Sequence, residues 1–145
     1  GLKHSARNAR DTGEFVFNLA TMDLLHEMNR TSAALEEGED EFSFAGLQSA
    51  SCRLVKPPRV AIAAAALECK VVHFMELPDL DGRPCDRFLT IGQVVATHID
   101  DRFIKDGRFD TAAARPLGRC GYRDYAVVEE VFEIMRPTDL GRFVG

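Results

Sequence analysis

The segment LECKVVHFMELPDLDGRPCDRFLTIGQVVATHI, residues 67–99, decides the architecture. Leu67, Cys69, Val71, His73, Met75 and Leu77 alternate with Glu68, Lys70, Val72, Phe74 and Glu76, which is the two-residue period of a long strand. Pro78 to Pro84, with Asp81-Gly82 inside it, has turn chemistry and no period. Strand character then resumes from Phe88 to Ile99, with Leu89, Ile91, Val95 and Ile99 on one side. Two long strands about a turn predict an antiparallel hairpin.

The apolar run Val60 to Leu67 just before the hairpin is mostly alanine and ends at Glu68, so it reads as packed interior. Pro57-Pro58 breaks regular structure and leads extended into it. On the far side, Asp106-Gly107 marks another turn and Thr111 to Ala114 one helical turn before Pro116. Val131 to Met135 reads as a last strand ended by Pro137. Toward the start, Ser5 is placed to cap a helix running to Thr12, with Gly13 where a helix commonly ends in a left-handed residue. Glu14 to Ala20 alternates Phe15, Phe17 and Leu19 against Val16, Asn18 and Ala20, and predicts a buried strand. Thr21 is placed to cap a second helix with Leu24, Leu25 and Met28 on one face. The acidic run Glu36 to Glu41 predicts a solvated loop, and Asp40 to Leu47 a short turn or helix. Strands outnumber helices and do not alternate with them regularly. The chain is therefore read as mainly β with peripheral helices, an antiparallel barrel without internal repeats.

A chain of 145 residues suits one compact domain, residues 1–145. Hydrophobic residues at 46% and charged residues at 28% are ordinary for a folded globular protein. No apolar run approaches the roughly 18 residues of a membrane-spanning helix, so no membrane role is expected. With 18 Lys and Arg against 23 Asp and Glu, the net charge is −5, which argues against a broad nucleic-acid footprint. Cys52, Cys69, Cys85 and Cys120 form no CxxC pair and have no closely spaced histidine partners, so neither zinc nor a disulfide scaffold is expected. A reducing cytoplasm is the expected setting.

Lys3, Ser5 and Asn8 stand at and just before a predicted helix start, where free N–H groups and the positive end of the helix dipole favour an anion. A lysine, a hydroxyl and an amide there can hold a phosphate monoester, although a serine cap near a lysine is also common without any ligand. Asn18 inside an apolar strand must pair with backbone or meet a ligand, and backbone is the commoner partner. Cys69, on the apolar face of its strand, reads as a small buried hydrophobe.

Several short motifs stand in a fixed order along the chain. They are Lys3-His4-Ser5 with Asn8, Thr12-Gly13-Glu14-Phe15 with Asn18, Met28-Asn29 with Thr31-Ser32, Asp40-Glu41-Phe42 with Ala45-Gly46-Leu47, Pro57-Pro58-Arg59-Val60, Leu67-Glu68-Cys69, and Arg136-Pro137. Together, from Lys3 to Pro137, they resemble the flavin reductase-like family. The resemblance implies an FMN-binding split β-barrel. It also implies a barrel incomplete at the N-terminus, because the chain opens inside the family's pattern and the leading segment supplies the first strands and many contacts to the flavin ring.

By the same resemblance, Lys3, Ser5 and Asn8 match a Lys-Asp-Thr-x-x-Asn pattern associated with the FMN phosphate, with His4 where Asp is usual. Residues 116–125 resemble an Arg-x-Gly-Gly-x-x-Tyr stretch with Tyr122 in place of the second Gly. This makes Arg119 and Tyr125 further cofactor-binding candidates, a dimer or core role being the alternative. His98 matches a histidine at a strand end that could approach the flavin or simply be hydrogen-bonded in the fold. The implied activity is hydride transfer from NADH or NADPH, a transient co-substrate, to FMN. No catalytic side chain is assigned, since hydride transfer needs no acid-base pair and the chemistry belongs to the cofactor. The alternatives are an FMN-binding electron carrier without NAD(P)H turnover, or a flavin-free oligomerisation domain. A homodimer is expected from the family alone.

Overall fold

A computed structural model describes residues 2–33, 35 and 38–137. Glu36 and Glu37 of the expected acidic loop lie outside the described residues.

The chain begins with helix α1, His4–Thr12. It ends where the sequence predicts, at Gly13 with φ 70°, whose N–H donates to the Ala9 carbonyl; a left-handed residue here costs glycine nothing. Its start differs from expectation. Lys3, not Ser5, is the capping residue, held extended at φ −65° and ψ 153°, and its side chain makes no capping bond. The Lys3 carbonyl already accepts from the Arg7 N–H at 2.9 Å, which places Ser5 inside the first turn.

Strand β1, Glu14–Asn18, stops two residues short of the predicted Ala20. It is half-exposed rather than buried, with Phe17 48% exposed. The expected burial fails because nothing among the described residues covers that side of the strand. After β1 come a 3₁₀ turn at Met22–Leu24, helix α2 at Leu25–Arg30 and helix α3 at Glu41–Ala45. Asp40 caps α3 by accepting from the Phe42 and Ser43 N–H groups, the expected role of a carboxylate before a helix. Thr21, the expected cap of the second helix, makes no capping bond; it is buried and bridges to Pro116 instead. A two-residue ribbon pairs β2, Ser49–Ala50, with β3, Arg59–Val60.

The predicted hairpin is the backbone of the fold. Strands β4, Ala65–Pro78, and β5, Pro84–Ile99, pair antiparallel, and β1 adds to β4 in the sheet order β1-β4-β5. The register shifts between Glu68 and Cys69, and at this bulge both residues are buried. A regular strand would send them to opposite faces, so both faces are covered here, by the loop after β2 on one side and Phe15 on the other. Farther out both faces open to solvent, and Val72, Met75, Leu89 and Ile91 are exposed. The core is small and alanine-rich, its buried residues including Ala45, Ala63, Ala64, Ala66 and Ala114 together with Leu24 and Val55. Ala63, Ala64 and Ala66 bear out the packed-interior reading of the run before Glu68, whereas Ile62 is exposed.

Beyond β5, the Asp106-Gly107 turn joins β6, Ile104–Lys105, to β7, Arg108–Phe109, with both turn residues at positive φ. Helix α4, Thr111–Ala114, is the predicted single turn. A separate ribbon pairs β8, Leu117–Arg119, with β9, Tyr125–Val127. The strand expected over Val131–Met135 does not form, and Phe132 is 86% exposed. Its apolar residues pair with no strand among the described residues.

Candidate functional site

The first turn of α1 offers what an anion requires. The leading N–H groups of a helix have no intrahelical acceptor, the side chain of the N-cap residue Lys3 makes no bond to them, and no acidic residue stands in that turn. Lys3, Ser5 and Asn8 are all exposed. They do not converge on one depression. Lys3 and Ser5 line a hollow of about 550 Å³ with Thr31, Ser32 and Glu41, whereas Ser5 and Asn8 line a neighbouring cleft of about 500 Å³ whose opposite wall carries Glu39, Asp40 and Glu41. His4 borders both. A phosphate would meet fewer carboxylates in the first hollow, where the Thr31 and Ser32 hydroxyls donate to the carbonyls of Met28 and Asn29 and keep oxygen lone pairs.

Arg119 and Tyr125 lie on the β8–β9 ribbon, opposite one another in its register, and line neither hollow. The guanidinium sits 4.7 Å from the Tyr125 ring centroid and donates through Nη2 to the Tyr122 carbonyl. Tyr122, in place of the expected glycine, takes a positive φ of 58°. This arrangement supports a ribbon turn; it does not bring the two residues to α1.

Sequence reasoning missed the most heavily engaged ionisable group. Glu68 is fully buried, 0% exposed. Its Oε1 accepts from the Arg53 N–H at 2.8 Å and from His98 Nε2 at 2.5 Å, and its Oε2 from the Leu54 and Val55 N–H groups at 2.6 and 3.1 Å. Desolvation pushes this carboxyl upward, but the bonds from the Arg53 N–H, His98 and the Leu54 N–H outweigh it and hold it at about 2. His98 is thus a hydrogen-bonded residue of the fold, partnered by the neighbouring strand's carboxylate and not by the adjacent aspartates. A charged residue closing an alanine-rich run was the available signal, because a buried carboxylate must find donors.

Cys52, Glu68 and His98 bring potential metal-ligand atoms within 4.8 Å of one another, a grouping that their spacing in the sequence hides. The donor set does not suit a cation. Both Glu68 oxygens are committed to N–H donors, and the Cys52 thiol is pushed up by burial and then by the Glu68 charge, with Arg59 opposing. Asn18 chooses backbone: its Oδ1 accepts from the Val60 N–H at 2.9 Å. Cys69 is buried and its thiol is raised by desolvation, as expected of a hydrophobe.

Comparison with known proteins gives a consistent result. The sequence pattern of the flavin reductase like domain matches residues 2–113. A protein of Halalkalibacterium halodurans is 35% identical over 136 residues, covering 94% of this chain and 65% of its own length. One from Bacillus subtilis is 30% identical, with coverage of 94% and 67%. Among solved structures, nitrilotriacetate monooxygenase component B from Bacillus cereus superposes with a TM-score of 0.83 at 29% identity, covering 91% of this chain and 65% of that one. The flavoredoxin of Desulfovibrio vulgaris (Miyazaki F) superposes at 0.78 with 21% identity, covering 91% and 68%, and indicates the fold alone. The chain spans about two thirds of the length of these relatives.

Proposed function

This chain belongs to the flavin reductase-like family and has its split-barrel fold, and from that premise we propose that it binds FMN and accepts hydride onto it from NADH or NADPH. The observation that carries the reading is the first turn of α1, without an acidic residue or a capping bond from its N-cap side chain, with Lys3 beside it. Lys3 and Ser5 would hold the phosphate from the hollow they share, and Asn8 would reach it from the adjoining cleft. FMN, when bound, supplies the redox chemistry. The chain's own part is to fix the phosphate end, leaving the flavin ring to be oriented by other contacts. Arg119 and Tyr125, stacked on their ribbon, are proposed to face the ring or the nicotinamide from a distance. The proposed assembly is a two-fold homodimer; exposed Val131, Phe132 and Ile134 supply apolar surface suited to a partner copy. Among the described residues no helix is long and apolar enough to cross a membrane.

The test is selective loss of affinity. Lys3→Ala should weaken FMN about tenfold, the worth of one charge-assisted hydrogen bond, and leave riboflavin, which lacks the phosphate, nearly unaffected. Equal loss for both ligands would remove Lys3 from the phosphate. NADH or NADPH consumption with added FMN tests turnover. Bound flavin without nicotinamide oxidation would leave an electron carrier in place of a reductase.

A further inference from the structure

Arg59, on β3, carries a guanidinium that is only partly used. Its Nη1 donates to the Ala61 carbonyl at 3.4 Å, while Nε is buried without a hydrogen-bond partner among the described residues. Nε and Nη2 form one edge of the group, the two-pronged edge that matches a carboxylate or phosphate. A buried N–H with no acceptor is rare and costly, and its presence calls for an absent partner.

The nearby anions are already taken. Arg59 lines a polar cleft of about 330 Å³ with Thr97, His98 and Asp100. Asp100 accepts from the same type of edge on Arg102, with Nε at 3.1 and 3.0 Å and Nη2 at 2.7 Å, and from the Arg102 backbone N–H. Glu68, behind His98, has both oxygens filled, and the Cys52 thiol is held protonated. His98 commits Nε2 to Glu68, so Nδ1 is its remaining nitrogen, without a partner among the described residues and a donor when the ring is an imidazolium.

We propose that this cleft is an oxyanion site, separate from the α1 hollows. It takes a carboxylate or phosphate group of a small ligand on the guanidinium edge of Arg59. The site stands independently of flavin binding. Asp100 does not repel the ligand strongly, because its charge is offset by the two-pronged pair with Arg102.

The probes are inorganic phosphate and succinate, titrated into ¹⁵N-labelled protein while the Arg59 Nε–Hε resonance, assigned through its side-chain connectivities, is followed. A saturable shift with either probe is expected. Tighter phosphate binding would identify a phosphorylated ligand and tighter succinate binding a carboxylate, and both support the site. Arg59→Gln and Arg59→Lys should weaken the response about tenfold or more, since the lysine keeps the charge but loses the fork. Lys3→Ala should retain it. Should the arginine variants fail to fold, the wild-type resonance carries the test alone. The proposal is overturned if neither probe shifts that resonance saturably, if Lys3→Ala abolishes the shift, or if the Nε–Hε proves paired with a carboxylate of the protein itself.

Discussion

Replacing Gly92 with alanine should destabilise the protein even though its backbone suits any residue. Gly92 sits in β5, and an added Cβ would fall 2.5 and 2.6 Å from Cε1 and Cζ of Phe15 and 3.0 Å from Cβ of Cys69. Phe15 is on β1, two strands away; it pairs with Cys69 on β4, and its ring reaches across to cover the glycine. Overpacking of this kind costs ~1–3 kcal/mol, whereas a strand-interior glycine replaced by alanine recovers ~0.5–1 kcal/mol of chain entropy. Those ranges leave a net cost of about 0–2.5 kcal/mol, centred near 1 kcal/mol. With a urea m-value of ~2 kcal/mol/M for a chain of this size, the unfolding midpoint should fall by roughly 0.5 M. Phe15→Leu placed in the Gly92→Ala background should restore part of the loss, giving a coupling of about 1 kcal/mol in the double-mutant cycle. A Gly92→Ala variant as stable as the wild type, with an unchanged m-value, would refute the close approach of the ring.

Two further outcomes concern residues outside that contact. The Glu68 carboxyl lies at about 2 in the fold against ~4.3 in an unfolded chain; being depressed, it stabilises fully above the unfolded value and loses that contribution as pH falls toward the folded one. Glu68→Gln should therefore flatten the stability profile between those two values and lower stability at neutral pH, read by thermal unfolding across the acid range; parallel profiles would exclude Glu68 as the titrating group. Tyr122→Gly relieves a φ of 58° at a side chain 96% exposed; strain of ~1–2 kcal/mol less ~0.5–1 kcal/mol of glycine entropy predicts anything from no change to a gain of about 1.5 kcal/mol in chemical denaturation, and a clear loss would mean the tyrosine packs.

The parts of the fold legible in the sequence are those fixed by neighbours along the chain. The β4–β5 hairpin follows from alternation on either side of Asp81-Gly82, the end of α1 from Gly13, and the β6–β7 turn from Asp106-Gly107. Whatever depended on distant partners was not legible. Alternation in Val131–Met135 describes a segment with one apolar face but does not choose a strand to pair it, and among the described residues it pairs with none. The same gap explains Ser5, displaced from the cap by the extended Lys3, and β1, whose alternation reveals nothing about what covers Phe17. At the candidate site, Lys3, Ser5 and Asn8 are on the helix turn the sequence assigned, yet their division between two hollows is set by α2 and α3, which no local pattern reports.

The segments matched within residues 2–113 are joined physically in a way that bears on what family membership means here. Asn18 holds the Val60 N–H, Glu68 clamps the turn of Arg53, Leu54 and Val55 and fixes His98, and the Asp100 N–H donates to the Ala64 carbonyl at 3.0 Å. Each contact ties the irregular stretch between β2 and β4 to the sheet. That stretch cannot satisfy its own backbone through a ladder, so polar side chains must do it. These contacts fasten a loop to a hairpin, and none of them involves flavin. Lys3 and Arg59 differ from these residues because, among the described residues, no such fastening bond occupies the Lys3 side chain at the start of α1, and one weak bond occupies the Arg59 guanidinium. Cationic donors not consumed by the fold are where ligand chemistry has room to act, which is why affinity for phosphate-bearing and carboxylate-bearing probes discriminates function in this chain better than stability does.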